Sequence, residues 1–277
     1  MVWNKKWQNY LFISVILAFF AVFCLVDGTT AEEKSKEEKS KKEESTFELP
    51  KNVLSIEKEN TFPNVTEDSE LLEASKETKE LLQANKVKVE NPEVIKMLNE
   101  SAINPSPISI GYRATIFLGR WPLYYESENT SVTWDYQAIN KNDLNNQQGD
   151  TVQEISYNQR EEREVKGALT NKIEQTSMIK QMILETTQQK TKLPLAFSTV
   201  YGENTKLDHF YNVPKEKTGV LEAYAPAINE KGQVVFGEVY IQLKGSAKEL
   251  VVKNVTKQGI GAWIPIQDHV ALSFQTK

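Results

Sequence analysis

Two histidines, each directly preceded by an aspartate, are the residues of this sequence best suited to bind a metal ion. The pairs are Asp208-His209 and Asp268-His269, and the chain has no further histidine. Two imidazoles and two carboxylates could supply the four ligands of a zinc site. Neighbouring residues on a strand point to opposite faces, however, and no HExxH spacing accompanies either pair. The pattern therefore favours a structural or surface role for all four residues and predicts no metal site.

The densest group of aromatic side chains lies in the middle of the chain and comprises Trp121, Tyr124, Tyr125, Trp134 and Tyr136. Aromatic rings at a surface can stack on the sugar rings of a glycan, so Trp121, Tyr124 and Tyr125 form a candidate ligand platform. Trp134 and Tyr136 alternate with polar residues, which is typical of a strand with one face in the core. A core position for the group is favoured over a platform.

No motif of nucleophilic catalysis is present. The sequence contains neither a G-x-S-x-G nucleophile elbow nor a convincing S-x-x-K arrangement. Its single cysteine, Cys24, lies in an apolar N-terminal run, so the rest of the chain has no thiol for a disulfide, a thiolate metal site or covalent catalysis. Some pair of carboxylates is inevitable among 38 acidic residues and carries no information. The sequence predicts no catalytic residue and no cofactor.

The charge pattern argues against two classes of partner. The formal net charge is −5, from 33 basic and 38 acidic residues, and no part of the chain after the N-terminal region concentrates lysine or arginine into a stripe. Phosphate contacts require clustered positive charge, so a nucleic-acid partner is not expected. The same balance gives poor support for a surface that binds anionic lipid.

The N-terminal region has the composition of an export segment followed by a tether. Lys5 and Lys6 precede an uncharged apolar run from Tyr10 to Val26. Residues 1–31 are therefore predicted to be a secretory signal peptide or, if uncleaved, an N-terminal membrane anchor. Residues 32–48 are rich in Glu, Lys and Ser, which bury little apolar surface, so we predict a disordered charged tether.

Three segments have the periodicity of helices. The first runs from about Glu67 to Ala84, where Thr66 or Ser69 could cap it. The second is predicted to begin at Asn91, a cap residue that is followed by a proline suited to the first turn. The third covers about Asn171 to Gln189, where apolar residues recur at helical spacing.

Beyond the second helix the apolar pattern changes to a period of two. Apolar and polar residues alternate from Tyr112 to Leu118 and again from Val132 to Ala138. The Asn-rich stretch from Asn140 to Asp150 is typical of an exposed loop, and Asn229 to Gly232 is typical of a hairpin turn. The sequence predicts an α+β fold, a mostly antiparallel sheet with a few packed helices, as a single globular domain over residues 49–277.

Three short stretches are similar to one protein family. They are Ser109 to Ala114 (SIGYRA), Trp121 to Leu123 (WPL) and Pro265 to Val270 (PIQDHV). Together with the export segment and the chain length, they resemble the YfkD-like family of exported proteins of Bacillus-type bacteria. The resemblance covers nearly the whole chain after the export segment. It implies an exported location and a bacterial lineage, and because the family has no established activity, it implies no catalytic residue.

These observations favour an exported cell-envelope protein without enzymatic activity, acting as a binding or structural module at the membrane or wall. Its partner would be a cell-wall polymer or another envelope protein, bound through the sheet. The alternative is an envelope hydrolase that acts on wall or lipid-linked substrates. We expect the protein at the outer face of the cytoplasmic membrane, in the wall or secreted. Membrane contact would be made through the N-terminal segment if that segment stays uncleaved.

Overall fold

A computed structural model describes residues 48–63, 73–85, 87–105 and 111–277 of the chain. The predicted export segment, and all of the predicted tether except its last residue, lie outside these ranges. The described residues belong to one compact unit. None of the described helices is both long enough and apolar enough to cross a membrane.

Antiparallel strands dominate the described residues. The helices are α1 (Lys76–Ala84), α2 (Pro92–Glu100) and α3 (Thr176–Thr191), and a 3₁₀ helix spans Lys58–Asn60. The strands are, in chain order, β1 (Val53–Ser55), β2 (Thr61–Pro63), β3 (Arg113–Asn145), β4 (Gln153–Asn158), β5 (Arg163–Lys166), β6 (Ala168–Leu169), β7 (Ser198–Tyr201), β8 (Lys206–Val213), β9 (Thr218–Lys244), β10 (Ala247–Pro265) and β11 (His269–Thr276). The predicted mostly antiparallel sheet with a few helices is confirmed, since every strand pairing within the described residues is antiparallel.

Long strands organise the main sheet around β9. Along one edge β9 pairs with β3 over its whole length, from Arg113 opposite Lys244 to Asn145 opposite Thr218. Along the other edge, β10 pairs with the C-terminal part of β9 and β11 with its N-terminal part, so these two strands follow each other in line. The short strands β6 and β1 extend the sheet beyond β10 and β11. Two smaller ladders, β2-β7-β5 and β4-β8, complete the described strands.

Bulges allow β3 to follow a shorter neighbour. β3 has 33 residues and β9 has 27, and the register between them shifts first between Phe117 and Gly119 and then at further points along β3. At the first bulge Gly119 has a φ of +120°, and a Cβ there would lie 2.8 Å from Nε1 of Trp121. Bulges and a proline, here Pro122, make an edge strand a poor template for pairing with another chain.

The continuity of β9 overturns the predicted hairpin. Residues 229–232 are paired with strands on both sides, where the sequence analysis expected a turn. Packing, and not a turn, explains the glycine at position 232. A Cβ on Gly232 would lie 2.4 Å from the hydroxyl oxygen of Tyr125, whose ring crosses the strand there. Only a residue without a side chain leaves that space free.

The predicted loop over residues 140–150 is also wrong in its first half. β3 continues to Asn145, and Asn142 is 9% exposed. The amide of Asn142 donates to the backbone oxygen of Asn158 at 2.9 Å. Asparagine is usually depleted in strands, but a buried amide that finds a hydrogen-bond partner is tolerated. Tertiary contacts therefore override the local preference of this stretch.

The second helix begins where the sequence predicts. The side-chain oxygen of Asn91 accepts hydrogen bonds from the backbone N–H groups of Glu93 at 2.9 Å and Val94 at 3.4 Å. Pro92 occupies the first turn of α2, where its missing N–H costs no hydrogen bond. Val94 and Leu98 are buried one turn apart, which gives the helix its core-facing side.

The other two helices differ from the prediction at their starts. Ser75 caps α1, since its hydroxyl oxygen accepts from the N–H of Thr78 at 3.2 Å. The predicted caps Thr66 and Ser69 lie outside the described residues. α3 starts at Thr176, later than expected, and ends at Thr191.

Helices cover both faces of the main sheet. α1 and α2 lie over one face near the C-terminal end of β9, where Leu98 joins a cluster with Val239 and Ile241. α3 lies over the opposite face nearer the middle of β9, where Ile179 joins a cluster with Phe236. Phe236 and Val239 point to opposite faces because side chains alternate along a strand.

Candidate functional site

One end of the main sheet has a face that no described helix covers. Past the region under α3, β9 turns Glu238 and Tyr240 to the same face as Phe236, because residues two apart on a strand share a face. The reverse face of this end carries Val239 and Ile241, which pack with α1 and α2. We call the uncovered end the open face and define it by Phe117, Arg120, Glu238, Tyr240, Lys253 and Asn254.

Two aromatic rings lie side by side on the open face. Strand pairing places Phe117 of β3 directly opposite Tyr240 of β9. Their ring centroids are 5.1 Å apart with an interplanar angle of 43°, and Phe117 is 57% exposed. The ammonium group of Lys253 lies 5.1 Å from the centroid of the Tyr240 ring. An exposed apolar patch with a polar rim is characteristic of a surface that meets a ligand or partner.

A hydrogen-bonded carboxylate borders the aromatic pair. The Tyr240 hydroxyl donates to Oε2 of Glu238 at 2.7 Å, and Nδ2 of Asn254 donates to the same oxygen at 2.8 Å. These hydrogen bonds, with the nearby charges of Arg120 and Lys253, hold the pKa of Glu238 below its usual range. The hydrogen bond to Glu238 also raises the pKa of the Tyr240 phenol. At neutral pH the site therefore presents an anionic acceptor beside a protonated hydroxyl.

A bulge in β10 shapes the rim of the open face. The register between β9 and β10 shifts between Lys253 and Thr256, and Asn254 within this bulge has a φ of 50°. Asparagine adopts this left-handed conformation more readily than most residues. The bulge brings the amide of Asn254 to Glu238, and Nη2 of Arg120 donates to Oγ1 of Thr256 at 2.9 Å.

The arrangement suits a flat ligand that carries hydroxyl groups. The rings of Phe117 and Tyr240 offer apolar surface, while Arg120 and Lys253 can donate hydrogen bonds. Within the described part of the chain, Oε1 of Glu238 accepts no hydrogen bond, so it is available as an acceptor. A few placed polar groups around an aromatic surface give a ligand both contact area and orientation.

The platform residues named from the sequence lie away from the open face. Trp121 is half-buried and donates from Nε1 to the backbone oxygen of Leu118 at 3.0 Å. Tyr124 is half-buried between two core clusters. Tyr125 is 4% exposed and donates to Oε1 of Glu230 at 3.1 Å, and burial raises its pKa. Tyr125 therefore has almost no surface to offer a ligand.

Trp134 and Tyr136, which the alternation placed on the core side of their strand, are half-buried and pack at the margin of the core. Trp134 packs against the cluster under α3, and Tyr136 packs against a neighbouring cluster. The Tyr136 ring also stacks on Trp263 with centroids 5.1 Å apart and an interplanar angle of 20°.

The two Asp-His pairs lie on different elements. Asp208 and His209 are exposed on β8, where the His209 ring meets Tyr211 edge-on at 4.9 Å. Asp268 and His269 lie where β10 turns into β11. Among the described residues, no three His, Cys, Asp or Glu side chains are grouped so that they could hold a metal ion.

Sequence reasoning did not select the residues of the open face. The alternation from Tyr112 to Leu118 does place Phe117 opposite the apolar side of its strand, on the same side as Arg113 and Thr115. An outward-facing phenylalanine was therefore a signal that the sequence carried. Its pairing with Tyr240 depends on the register between β3 and β9, which local sequence does not reveal.

The sequence of the chain, taken as a whole, identifies its protein family. The chain belongs to the family of YfkD-like proteins, whose pattern matches residues 50–277. The resemblance that the three short stretches suggested is thereby confirmed.

Similarity to individual proteins is high for one relative and low for one solved structure. The chain is 53% identical over 229 residues to "Uncharacterized protein YfkD" of Bacillus subtilis (strain 168), which covers 83% of this chain and 87% of that protein. The structure described as "Crystal structure of Lamprey immune protein" shares 9% sequence identity with this chain. That match covers 59% of this chain and 53% of the other at a TM-score of 0.27, which carries no argument about fold or function.

Proposed function

We propose that the protein is an exported envelope protein that binds a cell-wall glycan on its open face. One observation carries the proposal. The exposed ring of Phe117 and the half-buried ring of Tyr240 lie beside the ionised carboxylate of Glu238, on the part of the sheet that no described helix covers. The basic flank and the apolar run within residues 5–26 support export.

Each part of the open face has a counterpart in a sugar ring. The C–H face of a pyranose is apolar and would lie on the rings of Phe117 and Tyr240, which bury apolar surface without needing a deep pocket. Sugar hydroxyls both donate and accept, so they can bond Oε1 of Glu238 and the charged groups of Arg120 and Lys253. A ligand with one sign of charge would leave part of this mixed rim unsatisfied.

The size of the patch favours a glycan over a folded protein partner. The aromatic surface is two rings wide, whereas a stable protein interface buries about 800 Å² on each partner. A polysaccharide chain can instead place successive sugars along a shallow surface. Residues 32–48, with their Glu, Lys and Ser composition, would hold the sheet clear of the membrane so that wall polymer can reach it.

Sedimentation with insoluble wall material tests the proposal. The protein as recovered from its producing cells is mixed with purified wall sacculi, and the bound fraction is measured after centrifugation. We expect wild type to sediment with the wall, and Phe117→Ala and Tyr240→Ala each to weaken retention severalfold because each removes one ring of the pair.

Phe210→Ala is the matched control. Phe210 is 56% exposed, almost as much as Phe117, but it lies on β8 outside the open face. Its removal changes the general apolar character of the surface by the same amount and leaves the proposed site intact. An equal loss of wall binding in Phe117→Ala and Phe210→Ala would contradict the proposal. Binding of the protein to membrane extract without binding to the wall would also contradict it.

The same incubation also tests the alternative of an envelope hydrolase. Soluble reducing ends are measured over time in the supernatant. A binding protein releases none above the level of the wall alone. A steady release that Glu238→Gln abolishes, while binding persists, would replace the binding proposal with the hydrolase.

A further inference from the structure

A second surface feature lies where β10 turns into β11, beside Pro226 in the N-terminal half of β9. A cleft of about 570 Å³ is bounded by this turn, by the segment that follows β1 and by the C-terminal end of α3. Its charged and polar side chains include Lys58, Gln188, Lys192, Asp268 and His269.

Backbone contacts fix the walls of this cleft relative to each other. The N–H of Gln267 donates to the backbone oxygen of Pro194 at 2.8 Å, and the N–H of Ile56 donates to that of Asp268 at 2.9 Å. Asp268 has a φ of 56° and Lys192 a φ of 60°. This conformation is uncommon for residues with a side chain, and here Lys192 adopts it where α3 ends and Asp268 in the turn that leads into β11. The cleft is therefore built into the fold and exists before any ligand arrives.

The imidazole of His269 is oriented within the cleft. Its Nδ1 lies 2.8 Å from the backbone oxygen of Gln267. A carbonyl oxygen can only accept, so Nδ1 carries a proton and Nε2 is left to meet a ligand. The backbone oxygen of His269 accepts from the Tyr201 hydroxyl at 3.1 Å, which holds the residue from its other side.

Positive charge dominates the cleft. Lys58 and Lys192 have no ion-pair partner in the part of the chain that the structure describes. Among the described residues that line the cleft, Asp268 is the one carboxylate, and it already accepts a hydrogen bond from the Thr61 hydroxyl. The C-terminal end of α3 adds a partial negative charge, although the N–H of Lys192 donates to one of its backbone oxygens, that of Gln188, at 2.8 Å. Two ammonium groups therefore exceed the negative charge around them.

We propose that this cleft binds a terminal phosphate group, as carried by a small phosphate monoester. Lys58 and Lys192 offer ammonium donors to the phosphate oxygens, and Nε2 of His269, with the ring proton on Nδ1, offers an acceptor for the one proton that a phosphate monoester can carry and a diester cannot. Leu193 and Pro194 line the same cleft and would contact the carbon part of the ligand. The proposal does not depend on glycan binding, since its residues belong to a different surface.

Calorimetry with defined phosphates tests the assignment. Inorganic phosphate and glycerol 3-phosphate are titrated into the protein, as recovered from its cells, in a buffer of constant chloride. We expect saturable binding of both, and weaker binding of a glycerophosphodiester at the same ionic strength. Equal affinity for the diester would overturn the monoester assignment. Binding to vesicles of phosphatidic acid without binding to either soluble monoester would show a lipid headgroup site and also overturn it.

Lysine variants locate the site. Lys58→Met and Lys192→Met should each lower the affinity for glycerol 3-phosphate by about threefold, because each removes from the cleft one exposed ammonium group that would contact the phosphate. Lys190→Met is the matched control, since Nζ of Lys190 donates to the Ser127 hydroxyl at 3.1 Å and does not line the cleft. Unchanged affinity in Lys58→Met and Lys192→Met, or an equal loss in all three variants, would contradict the proposal.

Histidine NMR gives an independent readout that needs no variant. The chain has two histidines, so labelling at Cε1 gives two ring signals, and His209 on β8 serves as internal reference. At pH 7, glycerol 3-phosphate should shift the His269 signal saturably and leave that of His209 in place. Movement of both signals together, or of neither, would place the phosphate elsewhere and overturn the proposal.

Discussion

Two glutamates on the same face of β9 each accept a hydrogen bond from a tyrosine, one in the interior and one on the open face. The Tyr125 hydroxyl lies 3.1 Å from Oε1 of Glu230, and the Tyr240 hydroxyl lies 2.7 Å from Oε2 of Glu238. Glu230 is 0% exposed, and it also accepts from the hydroxyl of Thr130 at 2.5 Å. The same chemical pair therefore occurs once as part of the core and once at the surface.

The presence or absence of a helix packed over each pair explains the difference. Tyr125 packs in one cluster with Ile179 and Ile183 of α3, whereas no described helix lies over Tyr240. Burial is the main cause that raises the pKa of Tyr125, ahead of the charge of Glu230. A pair held under a helix has its hydrogen bonds fixed by the fold, but a pair on the open face can exchange water for a ligand.

The largest effect is expected from a substitution that disrupts the interior pair of Tyr125 and Glu230. In Gly232→Ala the added Cβ would lie 2.2 Å from the backbone oxygen of Glu126 and 2.4 Å from the Tyr125 hydroxyl, so strands or ring must shift. We expect a loss of about 3 kcal/mol in the free energy of unfolding, measured by urea denaturation. Gly259→Ala is the control, since nothing lies within 4 Å of its added Cβ. Equal losses in the two variants would contradict the packing assigned to Gly232.

Removing each tyrosine hydroxyl sharpens the comparison with a smaller effect. Tyr125→Phe leaves the buried Oε1 of Glu230 without its donor, and we expect a loss of about 2 kcal/mol in the free energy of unfolding. In Tyr240→Phe, water can replace part of the interaction that Glu238 loses, so the denaturation midpoint should fall by less than in Tyr125→Phe. A larger shift in Tyr240→Phe than in Tyr125→Phe would show that the open pair is the structural one.

The smallest expected effect concerns the protonation of Glu238. Its folded-state pKa lies below the ordinary value of 4.5, so its hydrogen bonds contribute to stability fully above pH 4.5 and are lost as the pH falls through the lower folded-state value. Tyr240→Phe removes the main cause of this shift and should raise the pKa of Glu238 towards 4.5. Carboxyl-carbon NMR titration measures the change. An unchanged titration would mean that the Tyr240 hydrogen bond does not form in solution.

Local sequence predicted those parts of the fold that local interactions determine. The cap at Asn91 and the alternation from Tyr112 to Leu118 follow from short-range rules, and both are present in the structure. Turn-like composition at residues 229–232 was misleading, because Gly232 is needed to leave room for the Tyr125 ring of another strand and not to form a turn. The Asn-rich start of residues 140–150 was misleading for the same reason, since the amide of Asn142 is satisfied by a distant backbone oxygen.

The candidate site was less predictable than the fold. Tyr125 looked like its neighbour Tyr124 in the sequence, and only the pairing of β3 with β9 shows which of the two rings points under α3 and is buried. Phe117 and Tyr240 meet because of strand register, and the bulge that brings Asn254 to Glu238 has no clear signature in composition. Surface sites on a sheet therefore require the pairing to be known first.

Hydroxyl-radical footprinting with and without a soluble wall glycan tests the central claim most directly, namely that the open face is the ligand surface. Radical modification of aromatic side chains depends on their exposure, and Phe117 and Phe210 start from nearly equal values, 57% and 56%. Saturating glycan should protect Phe117 and Tyr240 severalfold and leave Phe210 unchanged. Protection of Phe210 to the same degree, or no protection of Phe117, would contradict the account.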